Sequence, residues 1–467
     1  MGNPAAYTPF LDRFVLERIC RRTDSGGFHQ LLGRYIMGSL KGSNLTNVKR
    51  QNESAIRDVI YRYGPISRSE IAQMLSLTPP TITTNIARMM EQGLVYECGR
   101  LGAEAGALGR RRVKIDFVAD AAFFVGVEMN PYQIAICITN LRGVMTAEAR
   151  IPWKRREDGF VLSEELKELL RRIDGNDYRG SLELLAQVIL NLMTVSGIDK
   201  KQVLGCAMAL PGLIERKTGT LKKSTLEAWN DRPIARDLSR LLDLPVLLEN
   251  NARARAMGQK LFYQGELPED FAYYLISYGI ACPLYIGSRI LDGGQQGAGE
   301  AGHMVADLNG PRCETCGNAG CLEELASERA IVKTVTRLME SGRDTMIREI
   351  CPDLDFLSSR EILLAQECGD ELAQKVIDQA LLYLGAALAN IINLMNPSLV
   401  FVDSYLMKLM KNRRRLVEDT RAHIFGLYND EVEIEFVEFY HFTGAKGAAA
   451  AAIERYFING EGAQTFG

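Results

Sequence analysis

The sequence of 467 residues has only four histidines, and no apolar stretch approaches the ~20 residues that a membrane-spanning helix needs. Its N-terminal segment lacks the apolar core and the cleavage site of a signal peptide. Cysteines are few for this length, and those outside one short cluster stand alone in apolar runs, so no disulfide framework is indicated. These absences predict a protein of the reducing cytoplasm that has no membrane partner.

An excess of charge of either sign is also missing, because the formal net charge is only −3. The distribution of charge is nevertheless uneven. Between Lys49 and Lys114 there are eleven Lys and Arg residues against six Asp and Glu residues, which leaves a net charge of −8 on the rest of the chain. A basic module joined to an acidic body predicts that one part of the chain contacts phosphate groups and the other does not.

Three of the ten cysteines and one of the four histidines occur together in a glycine-rich segment, as His303, Cys313, Cys316 and Cys321. Thiolate and imidazole are both zinc ligands, and four protein ligands leave no open position for a catalytic water. The pattern therefore predicts a structural zinc site. The alternative is four unrelated buried residues, and the scarcity of histidine argues against it.

Residues 52–92 have the pattern of a helix-turn-helix. Apolar residues recur at helical spacing up to Tyr63, and Gly64-Pro65 ends that helix. Ser67 and Glu70 have the spacing of a capping box, and Thr78 is placed to cap a third helix. Inward-facing Ile82, Ile86 and Met89 or Met90 leave a polar outer face on this third helix. We expect that face to enter the major groove of DNA. Its predicted contacts are Thr81, Thr83, Thr84, Asn85 and Arg88.

Two strand-like segments follow the third helix and are separated by a loop rich in glycine and alanine, which is the pattern of a β-wing. Arg110 and Arg111 lie at the end of that loop and are predicted to contact the DNA backbone or a minor groove. A solvated hairpin without a DNA contact is the alternative. We favour DNA contact because helices and wing occur together in the order of a winged helix-turn-helix.

From about residue 119 strands and helices alternate to the end of the chain, which predicts two α/β lobes with a cleft between them. Together with the cluster, the segments GEAGH, GCLEELAS, ALPGLIE and LENNARARA resemble the ROK family over residues 49–455. That family contains sugar kinases and related transcription factors on the actin-like, hexokinase-type fold. The cluster binds structural zinc in the family. One departure is that two residues, rather than one, separate Cys313 from Cys316.

The resemblance implies a division of the chain and a sugar site. Residues 1–48 form an extension of unclear role, and residues 49–116 form the winged helix-turn-helix domain. A small lobe comprises residues 119–245 with 446–467, and a large lobe with the zinc site comprises 246–445. The family's sugar-binding positions fall on Asn250, Asn251, Glu300, His303 and Glu323. Paired carboxylates and amides suit a sugar because its hydroxyls both donate and accept hydrogen bonds.

The positions that carry phosphoryl transfer in the family are altered. Asn251 replaces the aspartate that serves as base, and an amide does not take up a proton at neutral pH. The first phosphate loop reads Glu128-Met129-Asn130-Pro131-Tyr132 and has no glycine. The third loop reads Asp403-Ser404 in place of two glycines.

The sequence therefore predicts a transcriptional regulator that represses carbohydrate uptake or catabolism genes, with double-stranded operator DNA and a sugar or sugar-derivative effector as its partners. We expect it to be a homodimer or a dimer of dimers. An ATP-dependent sugar kinase with divergent phosphate loops is the alternative. A third possibility is a regulator that has lost its effector and acts through a protein partner.

Overall fold

The computed structural model describes residues 45–100, 113–131, 133–152, 177–426 and 431–461. The chain divides into two compact units, Met1–Ser54 and Ala55–Gly467. The first unit is described from residue 45, where helix α1 (Leu45–Tyr63) begins. This helix therefore starts within the segment 1–48 that the sequence left unassigned. Long polar stretches such as this one carry little apolar periodicity, which explains why the pattern predicted only the later turns.

The next elements form a winged helix-turn-helix. They are β1 (Ile66–Ser67), α2 (Arg68–Leu75), α3 (Pro79–Glu91), β2 (Val95–Arg100) and β3 (Val113–Phe117). The predicted capping box is present, because the Ser67 side chain accepts from the Glu70 backbone and the Glu70 side chain accepts from the Ser67 backbone. Thr78 precedes α3 as predicted but makes no side-chain cap hydrogen bond. Strand order in this small antiparallel sheet is β1-β3-β2.

The first lobe of the following α/β domain is built on a five-stranded sheet. Its strands are β4 (Phe123–Met129), β5 (Gln133–Asn140), β6 (Met145–Pro152), β7 (Val203–Leu210) and β10 (Val246–Asn250), in the order β10-β7-β4-β5-β6. A hairpin of β8 (Leu213–Glu215) and β9 (Thr220–Lys223) lies beside it, with helices α4 (Tyr178–Val195) and α5 (Ile234–Leu242). Because β10 pairs with β7 in parallel register, the first sheet extends past the boundary that we place at residue 245.

The second lobe contains the sheet of order β14-β13-β11-β15-β16, with β12 paired to β11. Its strands are β11 (Phe271–Ile276), β12 (Ile280–Ala281), β13 (Leu284–Ile286), β14 (Arg289–Ile290), β15 (Leu399–Ser404) and β16 (Glu433–Phe436). Its helices are α6 (Asn251–Phe262), α7 (Leu322–Ala326), α8 (Glu328–Glu340), α9 (Ile347–Ile350), α10 (Ser359–Glu367), α11 (Glu371–Met395) and α12 (Met410–Arg421).

Helix α11 is the one helix among the described residues that is long and apolar enough to cross a membrane, judged by length and composition alone. Of its most apolar window, 61% is buried inside the protein. Its apolar side chains, among them Ile377, Leu384 and Leu388, belong to the core of the second lobe. Burial in this core accounts for its composition without a bilayer.

The last helix, α13 (Thr443–Ala452), crosses back to the first sheet and continues as a π-helical turn, Ile453–Ile458. A side chain at Gly126 of β4 would place its Cβ 1.9 Å from the Ala445 carbonyl oxygen, so only glycine permits this approach of strand and helix. The run of alanines in α13 serves the same close packing.

The winged domain packs against the first lobe through the end of this π-helical turn. Arg57 Nη1 donates to the Phe457 carbonyl oxygen at 2.8 Å, and the rings of Phe117 and Phe457 are 5.0 Å apart in an edge-to-face arrangement. From the other side, Arg142 Nη1 donates to the Tyr61 carbonyl oxygen at 2.8 Å. One apolar cluster contains residues of both domains, including Ile60, Phe117 and Phe457, so the winged domain (the head) shares a core with the first lobe.

Candidate functional site

The four predicted metal ligands converge at one end of the second lobe. His303 ends a short 3₁₀ turn, and Cys321 immediately precedes helix α7. Between them, backbone hydrogen bonds hold a tight loop: the Cys313 N–H donates to Asn318 and the Gly317 N–H donates to Cys313. The ligand atoms of His303, Cys313, Cys316 and Cys321 all lie within 4.8 Å of one another.

The separations within this cluster fit a tetrahedral ion. Cys313 Sγ lies 3.7 Å from His303 Nδ1, and Cys316 Sγ lies 3.5 Å from Cys321 Sγ. With zinc–sulfur bonds of about 2.3 Å, the edges of a tetrahedral site are roughly 3.8 Å long. The second residue between Cys313 and Cys316 therefore does not prevent the two thiols from meeting. Left-handed backbone at Gly317 (φ 82°) and Gly320 (φ 73°) provides the turns that this requires.

A cleft of about 880 Å³ lies beside the cluster, and its lining includes residues of both lobes. All five residues predicted to bind sugar line this cleft, namely Asn250, Asn251, Glu300, His303 and Glu323. His303 contributes to both features. Its Nδ1 faces the thiol of Cys313, which leaves Nε2 on the opposite side of the ring. The Cys/His cluster and the predicted sugar site are therefore joined through one imidazole.

The two asparagines sit where strand β10 ends and helix α6 begins. Asn250 caps α6, since its Oδ1 accepts from the backbone of Ala252 at 2.9 Å and of Arg253 at 3.3 Å. Its Nδ2 donates to the Gly212 carbonyl oxygen at 3.0 Å. Most of the hydrogen-bonding capacity of Asn250 is thus used in capping α6 and in holding Gly212 beside the cleft. Asn251, the next residue, also lines the cleft.

Glu300 and Glu323 supply the predicted carboxylates. Glu323 Oε2 accepts from the Ile280 backbone at 3.2 Å, and its carboxylate lies 3.5 Å from Arg329 Nη2, which fixes its orientation. Glu300 borders the cleft, where burial by the surrounding protein raises the pKa of its carboxyl, His303 lowers it and Glu323 raises it. Both carboxylates present acceptors to the cleft, and the Ile280 backbone fixes that of Glu323.

A buried ion-pair network that no sequence motif predicted lies at the floor of the cleft, whose lining includes two of its members, Arg255 and Asp403. Arg255 donates to Glu128 through Nε and Nη2, each at 2.9 Å, and to Asp403 Oδ2 through Nη1 at 2.7 Å. Tyr273 also donates to Asp403 Oδ2, at 2.7 Å. Glu128 and Asp403 lie at two positions that the sequence predicts to correspond to phosphate loops of the family, and the guanidinium of Arg255 joins them. Arg255 lies one helical turn after Asn251, which is the only signal the sequence offers.

The predicted DNA-binding face of helix α3 is formed as expected. Ile82, Ile86 and Met89 are fully buried, and Met90 is exposed, which resolves the inward position in favour of Met89. Thr83, Thr84 and Arg88 are exposed, and Thr81 and Asn85 are half-buried. Arg88 Nη2 donates to Asn85 Oδ1 at 3.0 Å, and Asn85 donates to the Thr81 carbonyl oxygen at 2.8 Å. These hydrogen bonds fix the orientation of the Arg88 and Asn85 side chains on the polar face. Arg110 and Arg111 lie outside the described residues.

Fold and site together define a class: a winged helix-turn-helix protein joined to a two-lobed α/β domain of the hexokinase type. Residues 54–96 match the winged helix-turn-helix DNA-binding family, and residues 158–455 match the ROK family. The second match covers more than half of the chain. The protein belongs to the ROK family.

Relatives agree with this assignment over most of their length. The chain is 27% identical over 395 residues to the xylose repressor of Caldicellulosiruptor bescii, covering 84% of this chain and 93% of that protein. It is 26% identical over 368 residues to the N-acetylglucosamine repressor of Escherichia coli O6:H1, covering 78% and 83%. A crystal structure described as a ROK family transcriptional regulator, a homolog of the E. coli MLC protein, superposes with a TM-score of 0.71 at 24% identity, covering 88% and 97%.

Proposed function

We propose that this chain is a DNA-binding transcriptional regulator, acting in the cytoplasm as a repressor of carbohydrate uptake or catabolism genes, with a sugar as its effector. The observation that carries the proposal is the convergence of Asn251, Glu300, His303 and Glu323 on one cleft, in a chain that also presents an ordered polar helix for DNA. Relatives named as sugar repressors support a carbohydrate effector and suggest xylose and N-acetylglucosamine as the first probes.

The Cys/His cluster would hold zinc in a structural role. His303, Cys313, Cys316 and Cys321 supply the four ligands, and such a set leaves no coordination position open. The ion would add a rigid cross-link to a loop that otherwise depends on backbone hydrogen bonds. His303 is itself a ligand, and Glu323 lies in helix α7, which begins directly after the ligand Cys321. The ion would therefore keep both sugar-binding groups in place.

Phosphoryl transfer is not part of this proposal. Asn251 offers no base to the acceptor hydroxyl, and the side chains of Glu128, Arg255 and Asp403 occupy the floor where nucleotide phosphates would need backbone donors. A kinase would also have to bind a metal–nucleotide complex beside that floor. There, the guanidinium of Arg255 already donates to both carboxylates. The arrangement supports ligand recognition without turnover.

The route from cleft to DNA would run along helix α13. At its first turn, a Cβ on Gly444 would lie 2.0 Å from Glu128 of the cleft floor, so helix and network are in direct contact. Beyond its other end, Phe457 of the π-helical turn contacts Arg57 and Phe117 of the winged domain. Closure of the lobes on a sugar would shift this helix and the head attached to it. In a homodimer, the shift would change the spacing of two heads on operator half-sites that lie one or more helical turns apart.

Operator binding with and without sugar tests the proposal. The upstream region of this gene and of its neighbours provides the DNA, and fluorescence anisotropy gives the affinity. We expect nanomolar-range, salt-dependent binding that a sugar from a panel of pentoses, hexoses and N-acetylhexosamines changes at least tenfold. The kinase alternative is tested by coupled ATP consumption over the same panel with wild type and Asn251→Asp. Turnover by the wild type would overturn the regulator-only proposal.

The remaining alternative, a regulator without an effector, is tested by calorimetry against the same panel. A folded, zinc-loaded protein that binds DNA and gives no heat with any sugar would support it. A sugar that gives saturable heat and also changes DNA affinity would exclude it.

A further inference from the structure

The hairpin of strands β8 and β9 belongs to the first lobe but contacts the second lobe at two places. Ile214 and Leu221 are buried in the apolar core of the first lobe and anchor the hairpin there. The two contacts with the second lobe are made by the cationic side chains of Arg216 and Lys223. Each of them reaches a segment that carries residues of the predicted sugar site or of the Cys/His cluster.

Arg216 makes the first contact, with the loop that leads to Glu300. Its Nη2 donates to Asp292 Oδ1 at 2.6 Å, and its Nε donates to Gln296 Oε1 at 3.3 Å. Arg253 Nη2 donates to the same oxygen of Asp292, also at 2.6 Å. Burial raises the pKa of Asp292, but Arg216 and Arg253 outweigh that effect and lower it. Asp292 is therefore held in its charged form between one guanidinium from each lobe.

The loop between Asp292 and Glu300 is compact enough to carry this restraint to Glu300. The Ala298 N–H donates to the Asp292 carbonyl oxygen at 3.2 Å, and the Cys282 N–H donates to the Gly299 carbonyl oxygen at 2.6 Å. Gly299 has left-handed backbone (φ 96°), and a Cβ there would lie 2.8 Å from the Cys282 carbonyl oxygen. Because Glu300 follows Gly299 directly, a fixed loop also fixes the point at which Glu300 enters the cleft.

Lys223 makes the second contact, with the loop of the Cys/His cluster. Its Nζ donates to the Thr315 carbonyl oxygen at 3.0 Å. Thr315 lies between Cys313 and Cys316, so this hydrogen bond ties the segment with two of the predicted zinc ligands to the first lobe. The hairpin thus contacts both segments of the second lobe that border the predicted sugar site on this side.

We propose that Arg216 and Lys223 are positioning residues of the effector site, which hold the loop before Glu300 and the loop of the Cys/His cluster in place relative to the first lobe. Arg216 and Asp292 are not among the described residues that line the cleft, so Arg216 acts through the loop and does not touch the sugar. Groups that are already ordered lose less conformational entropy when a ligand binds, which favours binding. The inference rests on the proposed function, because the site is the one proposed to take the sugar.

Titration calorimetry of the full-length, zinc-loaded protein measures the effect on affinity. Xylose and N-acetylglucosamine are the first probes, followed by the other sugars of the panel. Arg216→Gln is expected to weaken binding by about threefold to tenfold, the range for a half-exposed hydrogen bond between charged groups. Arg216→Lys should restore part of the loss. Lys217→Gln, which removes an exposed charge beside Arg216 on the same hairpin, is the matched control. Equal affinities in Arg216→Gln and Lys217→Gln would overturn the proposal.

Hydrogen exchange without sugar tests the positioning itself. Arg216→Gln should accelerate exchange in residues 291–301 and leave residues 313–317 unchanged, whereas Lys223→Gln should have the reverse effect. Lys222→Gln is the matched control for Lys223→Gln, since Lys222 pairs with Glu215 and Asp231 of the first lobe. Exchange that accelerates equally throughout the chain would indicate general destabilisation and contradict a positioning role.

A double-mutant cycle tests whether Arg216 acts through Asp292. If both belong to one contact, Arg216→Gln combined with Asp292→Asn should weaken sugar binding no more than Asp292→Asn alone. Losses that add would contradict the proposed route through the loop. If Arg216→Gln fails to fold, Asp292→Asn replaces it in the calorimetry and in the exchange measurement, with the same expected direction.

Sugar binding and operator binding by the wild type keep the two proposals distinct. A wild type whose bound sugar changes its operator affinity, with sugar affinity unchanged in Arg216→Gln, retains the proposed function and loses the positioning role. A wild type that binds no sugar of the panel loses the proposed effector. In that case the exchange measurement still decides whether Arg216 holds the loop before Glu300.

Discussion

Arg255 donates to Asp403 at 2.7 Å and thereby joins the helix after the first sheet to the last buried strand of the second. Its other donors contact Glu128, on the first sheet. The carboxylates are nearly inaccessible to water, with side-chain exposures of 1% for Glu128 and 7% for Asp403. Burial alone lowers the pKa of Arg255, but the two carboxylates outweigh that effect and hold the guanidinium in its charged form. One cation therefore contacts two buried carboxylates at the junction of the lobes.

We expect Arg255→Met to destabilise the protein by about 3–5 kcal/mol, because it leaves two buried carboxylates without their cation. Chemical denaturation of the α/β domain measures the change. Lys200→Met is the control: it breaks the exposed contact of Lys200 with Asp243, which is worth about 0–1 kcal/mol. Similar losses for both variants would contradict the importance of the buried network.

The loss in Arg255→Met should depend on pH. Burial raises the pKa of Glu128, and Arg255 opposes that rise in the wild type. Without Arg255 the folded-state pKa rises further above the unfolded value, so the folded variant binds more protons than its unfolded chain. Stability then falls as pH rises through the raised pKa. Denaturation at pH 5 and pH 8 should show a smaller deficit at pH 5; a deficit that is equal at both values would exclude this explanation.

The network also marks the limit of what could be predicted from the sequence. The capping box of Ser67 and Glu70 and the inward face of helix α3 depend on residues three or four positions apart, and the structure confirms them. The predicted sugar residues could be placed because short motifs surround them. Arg255 and Glu128 are 127 positions apart and lie in no shared motif. Local periodicity carries no information about such pairs.

The metal prediction concerns Cys316. Serine at this position removes one thiolate, and we expect the zinc content, measured by mass spectrometry of the native protein, to fall well below one ion per chain. An ion at a hundred times its Kd stabilises the folded state by about 2.7 kcal/mol, so the melting temperature should fall as well. Cys368→Ser, at an exposed cysteine outside the cluster, is the matched control. Full zinc occupancy in Cys316→Ser would remove this residue from the site.

The DNA prediction concerns the outer face of helix α3 and the wing. Arg88→Ala, Arg110→Ala and Arg111→Ala should each weaken operator binding. Each lost phosphate contact should reduce the slope of log affinity against log salt by about 0.9. A loss of sequence preference without a change of slope would instead assign Arg88 to a base contact. Arg179→Ala, at an exposed arginine of the first lobe, should change neither quantity. Unchanged binding in both wing variants would remove the wing from the interface.

The last prediction tests the junction between the winged domain and the first lobe. Arg57 is 6% exposed and reaches the Phe457 carbonyl oxygen, and its guanidinium carbon lies 5.1 Å from the Phe457 ring. Arg57→Met keeps the bulk of the side chain but removes the hydrogen bond, which costs about 1–3 kcal/mol when a buried partner is left unsatisfied. Because the junction loosens before the cores do, hydrogen exchange should accelerate first in the turns of α1 around Ile56 and Ile60.

Arg62→Met is the control on the same helix, since its ion pair with Asp58 is exposed and lies within helix α1. In the proposed route, movement of helix α13 reaches the head through Phe457, so operator affinity should respond less to a bound sugar in Arg57→Met than in Arg62→Met. Faster exchange in Arg57→Met with an unchanged sugar response would show that the junction holds the head in place without transmitting the signal.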